Sequence, residues 1–108
     1  VSTKPVIPRE RANRDVDDAI EYYVKEGTAQ AALGLVDALD DAYALIGHHP
    51  GVGASRYAYE LDLPGLRSWP LRRFPYLIFY VELEDRIDVW RVLHNRRDVP
   101  ASVHWPDQ

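Results

Sequence analysis

Between residues 9 and 46 the apolar positions recur with the spacing of a helix. Ala12, Val16, Ala19, Ile20, Tyr23 and Val24 fall on one stripe, and Asp15, Asp17, Asp18 and Glu21 occupy much of the remaining surface. Gly27 suits a left-handed position at the helix end, and Thr28 is a good N-cap for a second helix. That helix reads from residue 29 to about residue 46. Its apolar face is Ala32, Leu35, Val36, Leu39, Ala42, Tyr43 and Ile46, and Gly47 and Pro50 end it. So short a connection forces the two helices antiparallel, so residues 9–47 are expected to form a helical hairpin. Ahead of it, residues 1–8 read as an extended arm or edge strand, because prolines bracket residues 4–8.

Past the loop at residues 48–53 the period drops to two. Residues 56–61 and 66–71 read as strand pieces interrupted by Leu63, Pro64 and Gly65. Residues 76–83 read as a buried strand, Glu84 and Asp85 as a short turn, and residues 86–94 as a further strand. Residues 56–94 are thus expected to form an antiparallel β-meander. Residues 95–108 form a tail with little pattern beyond Val103 and Trp105. The expected architecture is α+β, one domain over residues 1–108, with the helical hairpin packed across one face of a small antiparallel sheet.

Composition narrows the chemistry. Cysteine is absent, which excludes disulfides and thiolate metal sites and fits a reducing cytoplasm. No apolar run approaches the roughly 18 residues of a spanning helix, and the first residues lack the apolar core of a signal peptide, so a cytoplasmic protein without membrane contact is expected. The net charge of −4 argues against general nucleic-acid binding, yet it hides an asymmetry. Residues 1–54 carry five Lys and Arg against nine Asp and Glu; residues 55–108 carry eight against eight, and all eight cations are arginine. Arginine without lysine suits planar, bidentate contacts with carboxylates, phosphates or aromatic faces.

Catalytic constellations are hard to assemble. His48 and His49 are adjacent in a loop, so their side chains diverge, and no third ligand is near in sequence. His94 ends a strand and reads as a hydrogen-bonding residue. Gly51 and Gly53 lack the preceding strand and following helix of a phosphate-binding loop. Asp17 with Asp18, and Asp40 with Asp41, read as solvated helix faces or an acidic patch for a basic partner. No metal, cofactor or catalytic set is expected. The arginines remain: Arg67, Arg72 and Arg73 flank one strand, Arg91 lies within the last, and Arg96 and Arg97 follow it. A buried arginine needs an anionic partner, so each pairs internally, with Glu60, Asp62, Asp88 and Asp98 as candidates, or faces an anionic ligand. Tyr57, Tyr59, Trp69, Tyr76, Tyr80 and Trp90 add aromatic surface to the same half. Arginine with aromatics describes a protein-binding hot spot or a nucleic-acid platform.

The stretch LRSWPLRRFPYLIFYVELEDRIDVWRVLHNRRD, with its YLIFY strand and RVLHNRRD ending, resembles the C-terminal meander of the RelE/ParE superfamily of toxin–antitoxin toxins, and its ParE branch in particular. The hairpin and arm fit the superfamily's order. RelE-type members cleave mRNA on the ribosome with lysine and arginine and a C-terminal tyrosine. The lysine pair of that pattern falls here on Ser68 and Pro70, its arginine on Leu77 and its tyrosine near Val103, and only the terminal arginine is matched, by Arg97 or Arg96. The resemblance therefore implies a non-enzymatic ParE-like toxin that poisons DNA gyrase by protein binding and is neutralised by a ParD-like antitoxin. A ribosome-dependent nuclease and an inactive antitoxin-binding scaffold are the alternatives. The expected partner-binding residues are Arg67, Arg72, Arg73, Arg91, Arg96, Arg97, Trp69 and Tyr76.

Overall fold

Apolar stripes that cannot stay in water dictate the layering. In the computed structural model, which describes residues 3–96, a short strand β1 (Val6–Pro8) leads into helices α1 (Glu10–Glu26) and α2 (Ala29–His48). A single 3-10 turn at Pro50–Val52 and a short helix α3 (Arg56–Glu60) follow, then strands β2 (Leu66–Pro70), β3 (Tyr76–Glu82) and β4 (Ile87–His94). The four strands form one mixed sheet in the order β1-β4-β3-β2. The β2–β3 and β3–β4 pairs are antiparallel, as the meander required, whereas the arm adds β1 to β4 in parallel, with Val6 opposite Ile87.

The helices pack as the stripes demand. Ala12 and Ala19 of α1, and Leu35, Leu39, Ala42 and Ile46 of α2, join Tyr76, Ile78, Tyr80, Ile87, Val89 and Val92 in the core beneath the hairpin. Val24, placed on the stripe by its spacing, is instead 55% exposed. Thr28 caps α2 through its hydroxyl, which accepts the Ala31 N–H at 3.0 Å. Gly27 is not left-handed (φ −120°); its N–H donates to the Tyr23 carbonyl at 3.0 Å and the chain turns extended. At the other end of α2 the arm crosses Gly47 so closely that a Cβ would lie 2.9 Å from the Lys4 carbonyl oxygen.

The second face of the sheet is also covered, which explains the unbroken apolar run of β3. Leu66, Phe79, Trp90 and Leu93 form a second core, closed by Tyr57, Ala58, Leu61 and Leu63. Here the expected strand over residues 56–61 is corrected to α3 and the turn after it. Those six residues satisfy both periods: Tyr57, Tyr59 and Leu61 alternate, while Tyr57, Ala58 and Leu61 share a helical face. The helix wins because it turns Tyr57, Ala58 and Leu61 onto the sheet, with Tyr57 edge-on to Phe79 at 5.2 Å, and leaves only Tyr59 in water.

Two local devices complete the sheet. A bulge between Phe79 and Tyr80 inserts one residue into β4, so Ile87, Val89 and Val92 enter the hairpin-side core at steps of two and then three. The outer edge of β2 is covered, since Ser68 exchanges both backbone bonds with Ala54 and the Leu66 N–H donates to the Leu63 carbonyl. Among the described residues no helix is long and apolar enough to cross a membrane.

Candidate functional site

Strand register gathers three exposed arginines, Arg72, Arg73 and Arg96, at one end of the sheet. β2 ends, β3 begins and β4 ends there: Tyr76 lies opposite His94, and the Asn95 N–H donates to the Pro75 carbonyl at 2.9 Å. The turn at residues 71–75 is closed by the Leu71 N–H on the Tyr76 carbonyl and the Tyr76 N–H on the Phe74 carbonyl. Phe74 pins the turn to the hairpin. Its ring meets Tyr23 edge-on at 5.3 Å and lies so close to Gly34 that a Cβ there would sit 3.4 Å from it. Arg72 and Arg73 are thereby held beside α2, where they line the same depression as Asp37 and Asp41.

Both arginines are exposed, and among the described residues neither side chain has a hydrogen bond or ion pair. Arg73 is also left-handed, with φ +68°, a conformation that costs a side-chain-bearing residue about 1–2 kcal/mol. Arg96 is exposed at the end of β4, its backbone N–H donating to His94 Nδ1 at 3.2 Å. Arg97 lies outside the described residues. Trp69 is half-buried: one side packs on the hairpin-side core, and the other lines a depression with Ala38 and Asp41.

The remaining expected site residues are not part of this exposed surface. Arg91, expected among the partner-binding residues, lies in the interior and takes the internal-pairing alternative. It grips Asp15 of α1 through two bonds, Nε to Oδ2 at 2.7 Å and Nη2 to Oδ1 at 2.8 Å, and Asp15 also accepts the Val92 N–H at 3.0 Å. The two side chains are 7% and 11% exposed. β1 has ended by this point, and Asp15 takes over its role as hydrogen-bond partner of β4. Tyr76 is likewise buried, its ring edge-on to His94 at 5.5 Å. Arg67 is half-buried and structural, its Nη1 donating to the Gly53 carbonyl at 2.8 Å and the Gly51 carbonyl at 3.3 Å. Of the anions expected to pair with these arginines, Asp88 holds Arg9 and Glu60 holds Arg56, while Asp98 lies outside the described residues. The pairing residue missed was Asp15, which spacing had placed on the polar side of α1 next to the apolar stripe; only the packing of α1 on β4 turns that edge inward.

A second polar knot ties the arm to the sheet. Asp88 is buried and accepts Nε and Nη2 of Arg9, at 3.0 and 2.9 Å, together with Nε1 of Trp90 at 3.0 Å, while the Arg9 guanidinium lies 5.9 Å from the Trp90 ring centre. Burial pushes the Asp88 carboxyl up, but the Arg9 and Trp90 hydrogen bonds and the charges of Arg9 and Arg86 outweigh it and hold it below the ordinary value. A carboxyl whose folded value is depressed stabilises the fold above its unfolded value, and that contribution disappears as pH falls through the folded one. The wild-type chain is therefore expected to lose stability below about pH 4, and Asp88→Asn to show a shallower loss across that range. Urea midpoints measured as a function of pH check this; parallel curves would contradict it.

Exposed guanidiniums of the kind at the arginine end can make forked hydrogen bonds with carboxylates or phosphates. Among the described residues no three His, Asp or Glu gather as a metal ion requires. Tyr43 is pushed up to about 12 by burial and by the charges of Asp15 and Asp40, which holds it protonated. A separate cleft of about 520 Å³ lies between α3 and β2, lined by Tyr59, Asp62 and Arg67 among others.

Comparison with known proteins follows the fold. A solved structure entitled "Chromosomal ParDE TA system from P. aeruginosa" contains a chain that superposes with a TM-score of 0.71 at 19% identity, over 85% of this chain and 96% of that one. At that identity the likeness establishes the α+β fold. No curated protein matches. The family described as "ParE toxin of type II toxin-antitoxin system, parDE" matches residues 6–99, the whole span from β1 past the end of β4. The chain belongs to the ParE toxin family of type II toxin–antitoxin systems.

Proposed function

We propose that this toxin poisons DNA gyrase by binding it, and that a ParD-like antitoxin neutralises it. The observation that carries the reading is the set of exposed arginines at one sheet end, Arg72 and Arg73 without partners among the described residues, in a chain of the ParE family. Exposed guanidiniums on a hydrogen-bonded turn are suited to forked contacts with another macromolecule's carboxylates. Metal-free RNA cleavage would instead need a base, cations for the developing phosphorane charge and an acid. At the positions where the nuclease pattern places its lysines stand Ser68, buried in β2, and Pro70, and its arginine is replaced by Leu77. Both lysines of the chain are engaged in other ion pairs, Lys4 with Glu82 and Lys25 with Glu21.

Purified toxin incubated with gyrase, supercoiled plasmid and ATP is expected to accumulate linear DNA after detergent and protease, and added antitoxin to abolish it. Undisturbed gyrase at micromolar toxin, together with translation arrest in cells, would overturn the reading in favour of the ribosome.

A further inference from the structure

α2 and the β2–β3 turn face each other across a trough with charge of opposite sign on its two rims. Two adjoining depressions, of about 250 and 210 Å³, share Ala38, Asp41 and Arg72. Asp37 and Asp41 stand on the helix rim, Arg72 and Arg73 on the turn rim, Ala38 lies between them, and Trp69 lines the far end. Facing rims of opposite charge would ordinarily close on each other. Here none of the four charged side chains forms an ion pair or hydrogen bond among the described residues. Arg73 keeps its left-handed backbone inside a turn closed by the Leu71 N–H on the Tyr76 carbonyl and by the Tyr76 N–H on the Phe74 carbonyl. The turn thereby presents the Arg72 and Arg73 side chains to solvent across from Asp37 and Asp41.

We propose that this trough seats a segment of the antitoxin that carries an acidic and a basic residue on either side of a small apolar one. The inference rests on the antitoxin reading above. The segment's carboxylate forks onto Arg72 and Arg73, its cation lies against Asp37 and Asp41, and the small side chain passes over Ala38 towards Trp69. The mixed rims select against simpler partners. A purely acidic segment, or the phosphates of a nucleic acid, would meet Asp37 and Asp41 at close range, and like-charge opposition of this kind discriminates between partners.

The test uses the chain of 108 residues and a ParD-like antitoxin that neutralises it, with affinity measured by titration calorimetry. Asp37→Lys with Asp41→Lys is expected to weaken binding about tenfold or more, as is Arg72→Glu with Arg73→Glu. Arg73→Gly separates contact from folding: glycine accepts a left-handed φ, so the melting temperature is expected to hold or rise while affinity falls. Unchanged affinity in all three variants overturns the assignment and leaves the antitoxin reading standing. Tighter binding by the aspartate variants overturns it in favour of a purely acidic segment. Loss of gyrase inhibition with antitoxin affinity intact overturns it in favour of the gyrase face. No binding by the wild-type chain brings down the antitoxin reading, and this inference with it.

Discussion

Replacing Asp15 by alanine is expected to lower the unfolding free energy by about 3–5 kcal/mol, the cost of leaving a buried charge without its partner. Arg91 is buried at 5% exposure, and among the described residues its Nη1 has no hydrogen-bond partner and Asp15 supplies both of its ionic contacts. The same substitution strips the Val92 N–H of its acceptor at the place where β1 no longer shields β4. For a domain with a total stability of roughly 5–15 kcal/mol the loss would be large. Removing both charges is a different experiment. Apolar replacements of similar volume for a buried ion pair are often neutral or better, so Asp15→Leu with Arg91→Leu is expected to recover most of the loss. Urea unfolding of the three variants measures this, and a single Asp15→Ala variant within 1 kcal/mol of wild type, roughly the value of an exposed pair, would show that the grip of α1 on β4 is weak.

Gly53→Ala is expected to cost about 2–5 kcal/mol, from overpacking together with a lost buried hydrogen bond. Its backbone, φ −70° and ψ 151°, suits any residue, so the obstacle is space alone. A Cβ would stand 2.5 Å from the Tyr80 hydroxyl and 3.0 Å from both Arg67 Cβ and the Ser68 carbonyl oxygen. The hydroxyl cannot readily yield, because it accepts the Gly53 N–H at 2.9 Å, donates to the Pro50 carbonyl at 2.7 Å, and caps a fully buried ring. Gly51→Ala is the control, with nothing within 4 Å of the added carbon. Chemical denaturation is expected to rank Gly53→Ala far below Gly51→Ala. Combining Gly53→Ala with Tyr80→Phe should cost less than the sum of the two, because removing the hydroxyl vacates the site of the clash. Equal stabilities for the two glycine variants would mean that the loop over β2 shifts freely.

These knots frame the proposed binding surface without belonging to it. A ParE-family toxin acts by binding another protein, not by catalysis, so what matters at the surface is which charges remain uncommitted. Arg91, Arg67 and Arg9 are bound within the fold to Asp15, to the Gly51 and Gly53 carbonyls and to Asp88. Arg72 and Arg73 are held outside it by Phe74 and the turn. The arginine-rich half of the chain thus divides into scaffold and surface, a division invisible in composition.

The sequence by itself determined the hairpin, the three antiparallel strands, the arm and the family. Each of these rests on local information: a 3.6-residue stripe, a Thr28 cap, period-two alternation, and a quoted run of residues around YLIFY. It also singled out Arg72, Arg73 and Trp69, because residue type and a strand end are enough to suggest exposure. Only the tertiary structure decided what Arg91 and Tyr76 do, since a charge partner 76 positions away depends on the packing of α1 against β4. Only it chose helix over strand for residues 56–60, where both periods fit and the exposed apolar face of the sheet settled the choice. And only it set Asp37 and Asp41 across from Arg72 and Arg73, because that meeting depends on Phe74 docking beside Gly34, a contact between residues 40 apart that no local pattern encodes.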